Sequence, residues 1–217
     1  MKTLHIGVIG IGVIATTKHI PALLKRDDVK IVALCDIDTA KAEKAKEELG
    51  FFEARVTADY KEVCTDPSID VIHVCTPNPS HHDITMLALE NGKHVHCEKP
   101  LALTYKDARE MVDTARAKGL KLTSGTQWRY NPAPMRMKQM VKDGVFGDIY
   151  YVKSSQLRPR CLPAYGVYTS KAGNGGGGPS GRRPSLHRPA HVAHGQLRCQ
   201  ERLRRHLRQD EELPRGK

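Results

Sequence analysis

The sequence predicts an α/β fold: a doubly wound parallel sheet at the N-terminus, followed by an incomplete α+β domain that begins an antiparallel sheet. Three observations carry the prediction. Short β-branched runs alternate with longer amphipathic segments from Leu4 to Gly125, the pattern of successive βαβ units. The first run feeds directly into Gly10-Ile11-Gly12-Val13-Ile14-Ala15, a glycine turn of the kind that opens a helix. At Gly175–Gly178 the composition then changes abruptly.

Leu4–Ile9 is short, rich in Ile and Val and bounded by glycine, as expected of a strand buried on both faces. In the turn after it, each small residue has a task. Gly10 permits the tight bend, Gly12 lets the backbone approach a pyrophosphate, and Ala15 allows helix to pack closely on strand. The helix N-terminus then offers the phosphates unpaired N–H groups and a positive dipole end. A second strand, Lys30–Cys35, ends in Asp36, about twenty residues beyond Ala15, the usual spacing of the ribose-binding acid. A carboxylate there can accept hydrogen bonds from both adenosine ribose hydroxyls and repels a 2′-phosphate, which favours NAD over NADP. Capping of the next helix is the alternative role for Asp36, and Asp38 can fill it instead. Strand, turn and acid together predict a Rossmann dinucleotide site.

The alternation continues. Thr39–Leu49 reads as a charged helix ended by Gly50. Asp70–Cys75 is another buried strand, leading into Thr76-Pro77-Asn78-Pro79-Ser80-His81, where the prolines end the strand and form a loop at its C-terminal edge. Open α/β sheets place their ligands at that edge. A helix over Asp83–Glu90 is closed by Asn91-Gly92, and the strand His94–Cys97 delivers Glu98-Lys99-Pro100. A helix over Tyr105–Ala117 and a last strand over Leu120–Gly125 complete the unit. Met135, Met137 and Met140 are expected as core positions of the next helix. Asp148–Ser155 alternates well enough to be the first strand of an antiparallel sheet. The domains are therefore residues 1–124 (nucleotide binding), 125–178 (the beginning of a second, sheet-containing domain) and 179–217 (a basic tail).

Composition narrows the function classes. Of the net charge of +11, residues 171–217 carry +7, so the body of the chain is nearly balanced and the high pI comes from the tail. No apolar run is long enough for a membrane span, and Met1-Lys2-Thr3 leads straight into a strand. The six cysteines (35, 64, 75, 97, 161, 199) show no CxxC pairing, which is consistent with a reducing, cytoplasmic compartment. His94 and His96 share a strand face and imitate a metal pair. With no third ligand at fitting spacing they read as packed or edge histidines, and no metal site is expected. His96-Cys97-Glu98 matches the HxE of zinc deaminases, but the required Pro-Cys-x-x-Cys is absent.

The order GxGxxA, Asp36, Thr76-Pro77-Asn78 with His81, Glu98-Lys99-Pro100 and Trp128-Arg129-Tyr130-Asn131-Pro132 resembles the Gfo/Idh/MocA family of glucose–fructose oxidoreductase and inositol dehydrogenase. The likeness covers residues 3 to about 178, and the motifs are far more specific together than singly. It implies an NAD(P)-dependent oxidoreductase that moves hydride between a nicotinamide and a carbinol carbon of a sugar, polyol or related small molecule. By that resemblance Gly10, Ile11, Gly12 and Val13 surround the pyrophosphate and Asp36 binds the ribose. Thr76, Asn78 and His81 line the cofactor trough, Glu98 and Lys99 flank nicotinamide and substrate, and Trp128 and Arg129 close over the same region. Lys99 is the catalytic candidate, because partial desolvation beside a cationic nicotinamide favours its neutral amine, which can bind the reacting oxygen and relay its proton. The resemblance also implies a homo-oligomer for the intact family member, an expectation that an unfinished sheet puts in doubt for this chain.

The tail departs from the pattern. After its glycine run the resembled family continues with hydrophobic–Asp–x–Gly–x–His–x–x–Asp, whereas this chain reads Pro179-Ser180-Gly181-Arg182-Arg183-Pro184. Residues 179–217 contain no Ile, Met, Phe, Tyr or Trp, but ten Arg and Lys. Reading the codons one base out of register from Pro179 is compatible with a string that restores G-x-H-x-x-D. The expectation is a frame slip within Gly175–Gly178 and a disordered tail, leaving a dinucleotide-binding module without its acid/base histidine. A basic arm for nucleic acid is a lesser alternative, since the tail lacks aromatic stacking platforms.

Overall fold

The computed structural model describes residues 2–153, which divide into two compact units, one reaching to Gly125 and the other beginning at Thr126. The expectations for the tail lie outside the described residues.

The first unit is built on six parallel strands: β1 (Leu4–Ile9), β2 (Val29–Cys35), β3 (Arg55–Thr57), β4 (Val71–Val74), β5 (His94–Cys97) and β6 (Leu122–Ser124), in the order β3-β2-β1-β4-β5-β6. Strand order reverses between β1 and β4, and a doubly wound sheet binds ligands at the C-terminal edge of that switch point. The helices are α1 (Ile20–Leu23), α2 (Thr39–Leu49), α3 (Tyr60–Thr65), α4 (His81–Glu90) and α5 (Tyr105–Ala117).

Local chemistry fixes their ends. Gly50 closes α2 at φ +71°, with its N–H on Lys46 O at 2.9 Å, a left-handed cap that costs glycine no Cβ clash. Asp59 caps α3 through the Lys61 N–H, and Thr104 caps α5 through that of Asp107.

Both faces of the sheet are apolar, as a parallel sheet requires. Ile9, Ile72, Val74, Val95 and Cys97 pack with Val63 of α3, Ile84 and Leu89 of α4 and Ala115 of α5. Ile6, Val8, Ile31 and Leu34 pack on the other face with Ala15, Ile20 of α1 and Ala42 and Ala45 of α2. His73 and His96 interrupt this second face.

No element is expected from sequence between Gly50 and Asp70. The structure places β3 and α3 there, elements of three and six residues, too short to show a period in the sequence. The helix α4 begins at His81, after a 3₁₀ turn over Asn78–Ser80.

In the second unit a 3₁₀ turn (Gln127–Tyr130) precedes α6 (Pro132–Lys142), whose first turn is capped by Asn131. The expectation of core methionines there is corrected: no residue of α6 is buried, and Met135 and Met137 are 55% and 43% exposed. Residues 148–153 form no ladder. An alternating segment becomes a strand only by pairing, and no partner stands among the described residues.

Cys35, Cys64, Cys75 and Cys97 are free and buried. Burial pushes the thiols of Cys35, Cys64 and Cys97 up to about 12 and that of Cys75 higher still. Since only the thiolate reacts, none of the four should be alkylated by iodoacetamide in the native chain at neutral pH. Peptide mapping by mass spectrometry should find them labelled only after denaturation.

Candidate dinucleotide site

At the switch point, β1 runs straight into the glycine turn. Gly10 takes φ +92°, and a Cβ there would meet the backbone of Cys75 and Thr76 at 2.7 Å. The turn thus lies tight against the end of β4. Gly12 differs: an added Cβ would meet nothing within 4 Å, so the backbone at this exposed position stands open to a ligand. Asp36, at the end of β2, braces the turn. Its Oδ2 accepts the Ile11 N–H at 2.8 Å and its Oδ1 accepts the Asp38 N–H at 3.0 Å. A carboxylate has about four lone-pair positions, so two remain for the hydroxyls of a ribose. Ile37, 94% exposed, and Asp38 come next in the chain, and neither supplies the cation that a 2′-phosphate would need. These residues fit a dinucleotide: an open backbone at Gly12, helix N–H groups beyond it, and a half-buried carboxylate one strand away.

Across the switch point, Thr76 closes the end of β4, its Oγ1 accepting from Ser80 Oγ at 2.8 Å. Asn78 opens the 3₁₀ turn. His81, expected in the trough, is only 1% exposed. Its ring spans two loops, with Nδ1 2.7 Å from Pro100 O and Nε2 2.9 Å from Thr76 O. A neutral ring donates to one of these carbonyls and a protonated ring to both. His81 therefore braces the loop after β5 against the loop after β4.

Glu98 and Lys99 lie directly after β5, and the Lys99–Pro100 peptide is cis. Glu98 is buried, and its carboxylate fills the space that a side chain on Gly125 would need, since a Cβ there would lie 2.6 Å from Glu98 Oε1. Oε1 meets His19 Nε2 at 2.9 Å and Oε2 accepts the Lys99 N–H at 3.1 Å. Burial alone would raise the Glu98 carboxyl. The His19 hydrogen bond, the Lys99 amide and the charges of those two residues outweigh it and hold the carboxyl below its usual range.

His19 carries no motif that would single it out in the sequence. It arrives through a π-helical turn, Ala15–His19, in which Ile20 N–H bonds Ala15 O rather than the carbonyl of residue 16. Pro21 accounts for the widening, because a proline ring collides with the carbonyl four residues back in a regular helix. The one available signal is Pro21, within a helix that the glycine turn opens.

His96, expected beside His94, instead groups with His19 and His73. Ring centroids lie 5.3 Å apart for His19–His96 and 4.9 Å for His73–His96. His94 accepts the Lys121 N–H at Nδ1, which ties it to the start of β6. Burial, then repulsion from His96 and His19, pushes His73 down to about 3. Burial and His19 lower His96 against the pull of Glu98. Trp128 and Arg129 lie in the 3₁₀ turn of the second unit, with Trp128 48% exposed.

No helix among the described residues is long and apolar enough to cross a membrane.

Known proteins resemble this chain. Residues 4–126 match the oxidoreductase family with an NAD-binding Rossmann fold, Gfo/Idh/MocA. Over 174 residues the chain is 37% identical to D-glucoside 3-dehydrogenase of Escherichia coli K12, covering 80% of this chain and 49% of that protein. It is 35% identical over 157 residues to D-xylose 1-dehydrogenase (NADP(+)) of Hypocrea jecorina, covering 68% of this chain and 40% of the other. The crystal structure of myo-inositol 2-dehydrogenase from Lactobacillus plantarum superposes with a TM-score of 0.62 at 33% identity, over 68% of this chain and 43% of that one. The chain spans about half or less of the length of the curated relatives it matches. By its fold, its glycine turn and this match over more than half its residues, the chain belongs to the Gfo/Idh/MocA oxidoreductase family, with that family's NAD-binding Rossmann fold.

Proposed function

We propose that the chain binds a nicotinamide dinucleotide, NAD in preference to NADP, along the C-terminal edge of β1, β2 and β4. There Lys99 would serve hydride transfer from a carbinol carbon of a sugar or polyol. The carrying observation is the Gly10–Asp36 arrangement: Asp36 braces the turn through Ile11 yet keeps lone pairs for a ribose, while Gly12 leaves its backbone open. The substrate class is supported by the relatives, which are dehydrogenases of a D-glucoside, D-xylose and inositol.

When bound, the nicotinamide supplies the hydride acceptor. The chain's own residues do the rest. Gly10, Ile11, Gly12 and Val13 hold the pyrophosphate; Thr76 and Asn78 edge the trough. His81 fixes the loop that carries Lys99, and Glu98 holds the Lys99 backbone through its N–H. Lys99 Nζ binds the reacting oxygen and takes up the hydroxyl proton as the hydride leaves the carbon.

A second reading is favoured by one observation, the absence of G-x-H-x-x-D in register after Gly178. On that reading the chain binds dinucleotide without turnover. The experiment is to titrate the full chain with NADH, then monitor NAD⁺ reduction with a panel of glucosides and inositols. Saturable binding with turnover supports the first reading, binding alone selects the second, and absence of NADH binding sinks both. Where turnover is found, Lys99→Met should keep NADH affinity within about threefold and lower kcat by about 10²–10⁴-fold. Equal kcat would remove Lys99 from the reaction.

A further inference from the structure

The face of β4 and β5 that carries His73 and His96 is unlike the rest of the sheet. Their register pairs them directly, and the π turn brings His19 over both, with His73 Nδ1 3.4 Å from His19 Nδ1. One ligand atom from each of His19, His96 and Glu98 lies within 4.8 Å of the other two. A tetrahedral zinc ion about 2.0–2.1 Å from each ligand separates their donor atoms by roughly 3.4 Å. His19 Nε2 and Glu98 Oε1, 2.9 Å apart in a direct hydrogen bond, need to part by only about 0.5 Å to reach that spacing, and a donor atom of His96 stands within 4.8 Å of a donor atom of each.

The arrangement of the remaining polar atoms points the same way. Each of the three residues uses one polar atom on an outer partner. His96 Nδ1 lies 2.9 Å from Thr123 Oγ1, His19 Nδ1 faces His73, and Glu98 Oε2 accepts the Lys99 N–H. That leaves His96 Nε2, His19 Nε2 and Glu98 Oε1 for a common partner. Outer contacts of this kind fix the tautomer and orientation of ligating histidines. Side-chain exposure of His19 and Glu98 is only 11% and 10%, so both are largely withdrawn from water. Two imidazoles and a carboxylate are the donor set of a zinc-type ion with one position open.

We propose that His19, His96 and Glu98 bind one borderline divalent transition-metal ion of the zinc class, with His73 and Thr123 as outer supports. Ligation would replace the direct His19–Glu98 hydrogen bond. It would join the π turn after the glycine loop to the end of β5, one residue from Lys99.

The test uses the full chain, stripped with a chelator and titrated with Zn(II), and in parallel with Co(II) for its visible spectrum. The tail contains His187, His191, His194, His206 and Cys199, so the reference is the double variant His19→Leu/His96→Leu, which keeps the tail. The expected result is one more ion bound by the parent than by the double variant, and a Co(II) band that the double variant lacks. Thr123→Val should weaken binding about tenfold or more, whereas His94→Leu should leave it unchanged. If circular dichroism shows the double variant unfolded, His96→Gln alone should lose at least tenfold in affinity. Equal stoichiometry and affinity in parent and folded variants would overturn the proposal. NADH titration of the same samples reports separately on the dinucleotide site, so the two failures are distinguishable.

Discussion

Gly12→Ala should fold as stably as the parent and bind NADH at least tenfold more weakly, while Gly10→Ala should lose about 3 kcal/mol or more of stability. The two glycines are two residues apart, yet they do different work. At Gly10 the backbone sits at φ +92° and an added Cβ would lie 2.7 Å from main-chain atoms of Cys75 and Thr76. The left-handed conformation alone costs a non-glycine residue about 1–2 kcal/mol, and main chain at the end of a buried strand cannot move aside cheaply. Against a total stability of about 5–15 kcal/mol for a domain of ordinary size, that is a large loss. At Gly12 nothing stands within 4 Å of the new Cβ, so the apo chain tolerates it. The methyl group would occupy the space in which a pyrophosphate approaches the backbone, and tenfold corresponds to about 1.4 kcal/mol. Urea denaturation and NADH titration of both variants separate the two effects. Equal stability of all three proteins, or undiminished NADH affinity of Gly12→Ala, would show that the turn is misread.

His81→Leu should destabilise the chain by about 2–4 kcal/mol and leave the NADH affinity of the folded protein within about threefold. The ring is buried to 1% exposure and lies between two carbonyls, Pro100 O and Thr76 O. Leucine fills much of the volume but donates nothing, and each buried carbonyl left unpaired costs about 1–3 kcal/mol. A trough-lining histidine would behave in the opposite way, with stability kept and affinity lost. Chemical denaturation beside a cofactor titration decides between a brace and a contact.

Most of the sheet could be read in the sequence because its strands announce themselves twice, by β-branched runs and by the glycine, proline or acidic residues at their C-terminal ends. The tight turn at Gly10 and its neighbour Asp36 could be picked out because the GxGxxA spacing and the acid at the end of the second strand are readable patterns, and the structure brings the two together through the Ile11 N–H. β3 and α3 were not, because three and six residues hold less than a readable period. The histidines show the limit most clearly. His94 and His96 are neighbours by strand alternation, so sequence paired them. The true neighbours of His96 come from β4 by register and from the first helix by a π turn that Pro21 forces. Neither relation leaves a spacing to read. His73 and His96 did carry one signal: strands buried on both faces rarely hold histidine, yet β4 holds one and β5 two on the same face. The methionines of α6 failed for another reason. Helical periodicity marks a face that can be buried, not one that is.

Asp36 is expected to serve both the turn and a ribose, and the most direct test is a titration of the full chain with NADH and with NADPH, repeated for Asp36→Ala. One saturable NADH site per chain is expected, with NADPH at least tenfold weaker and that preference abolished in the variant. Binding of NADPH as tight as NADH by the parent chain, or no saturable binding of either, would contradict it.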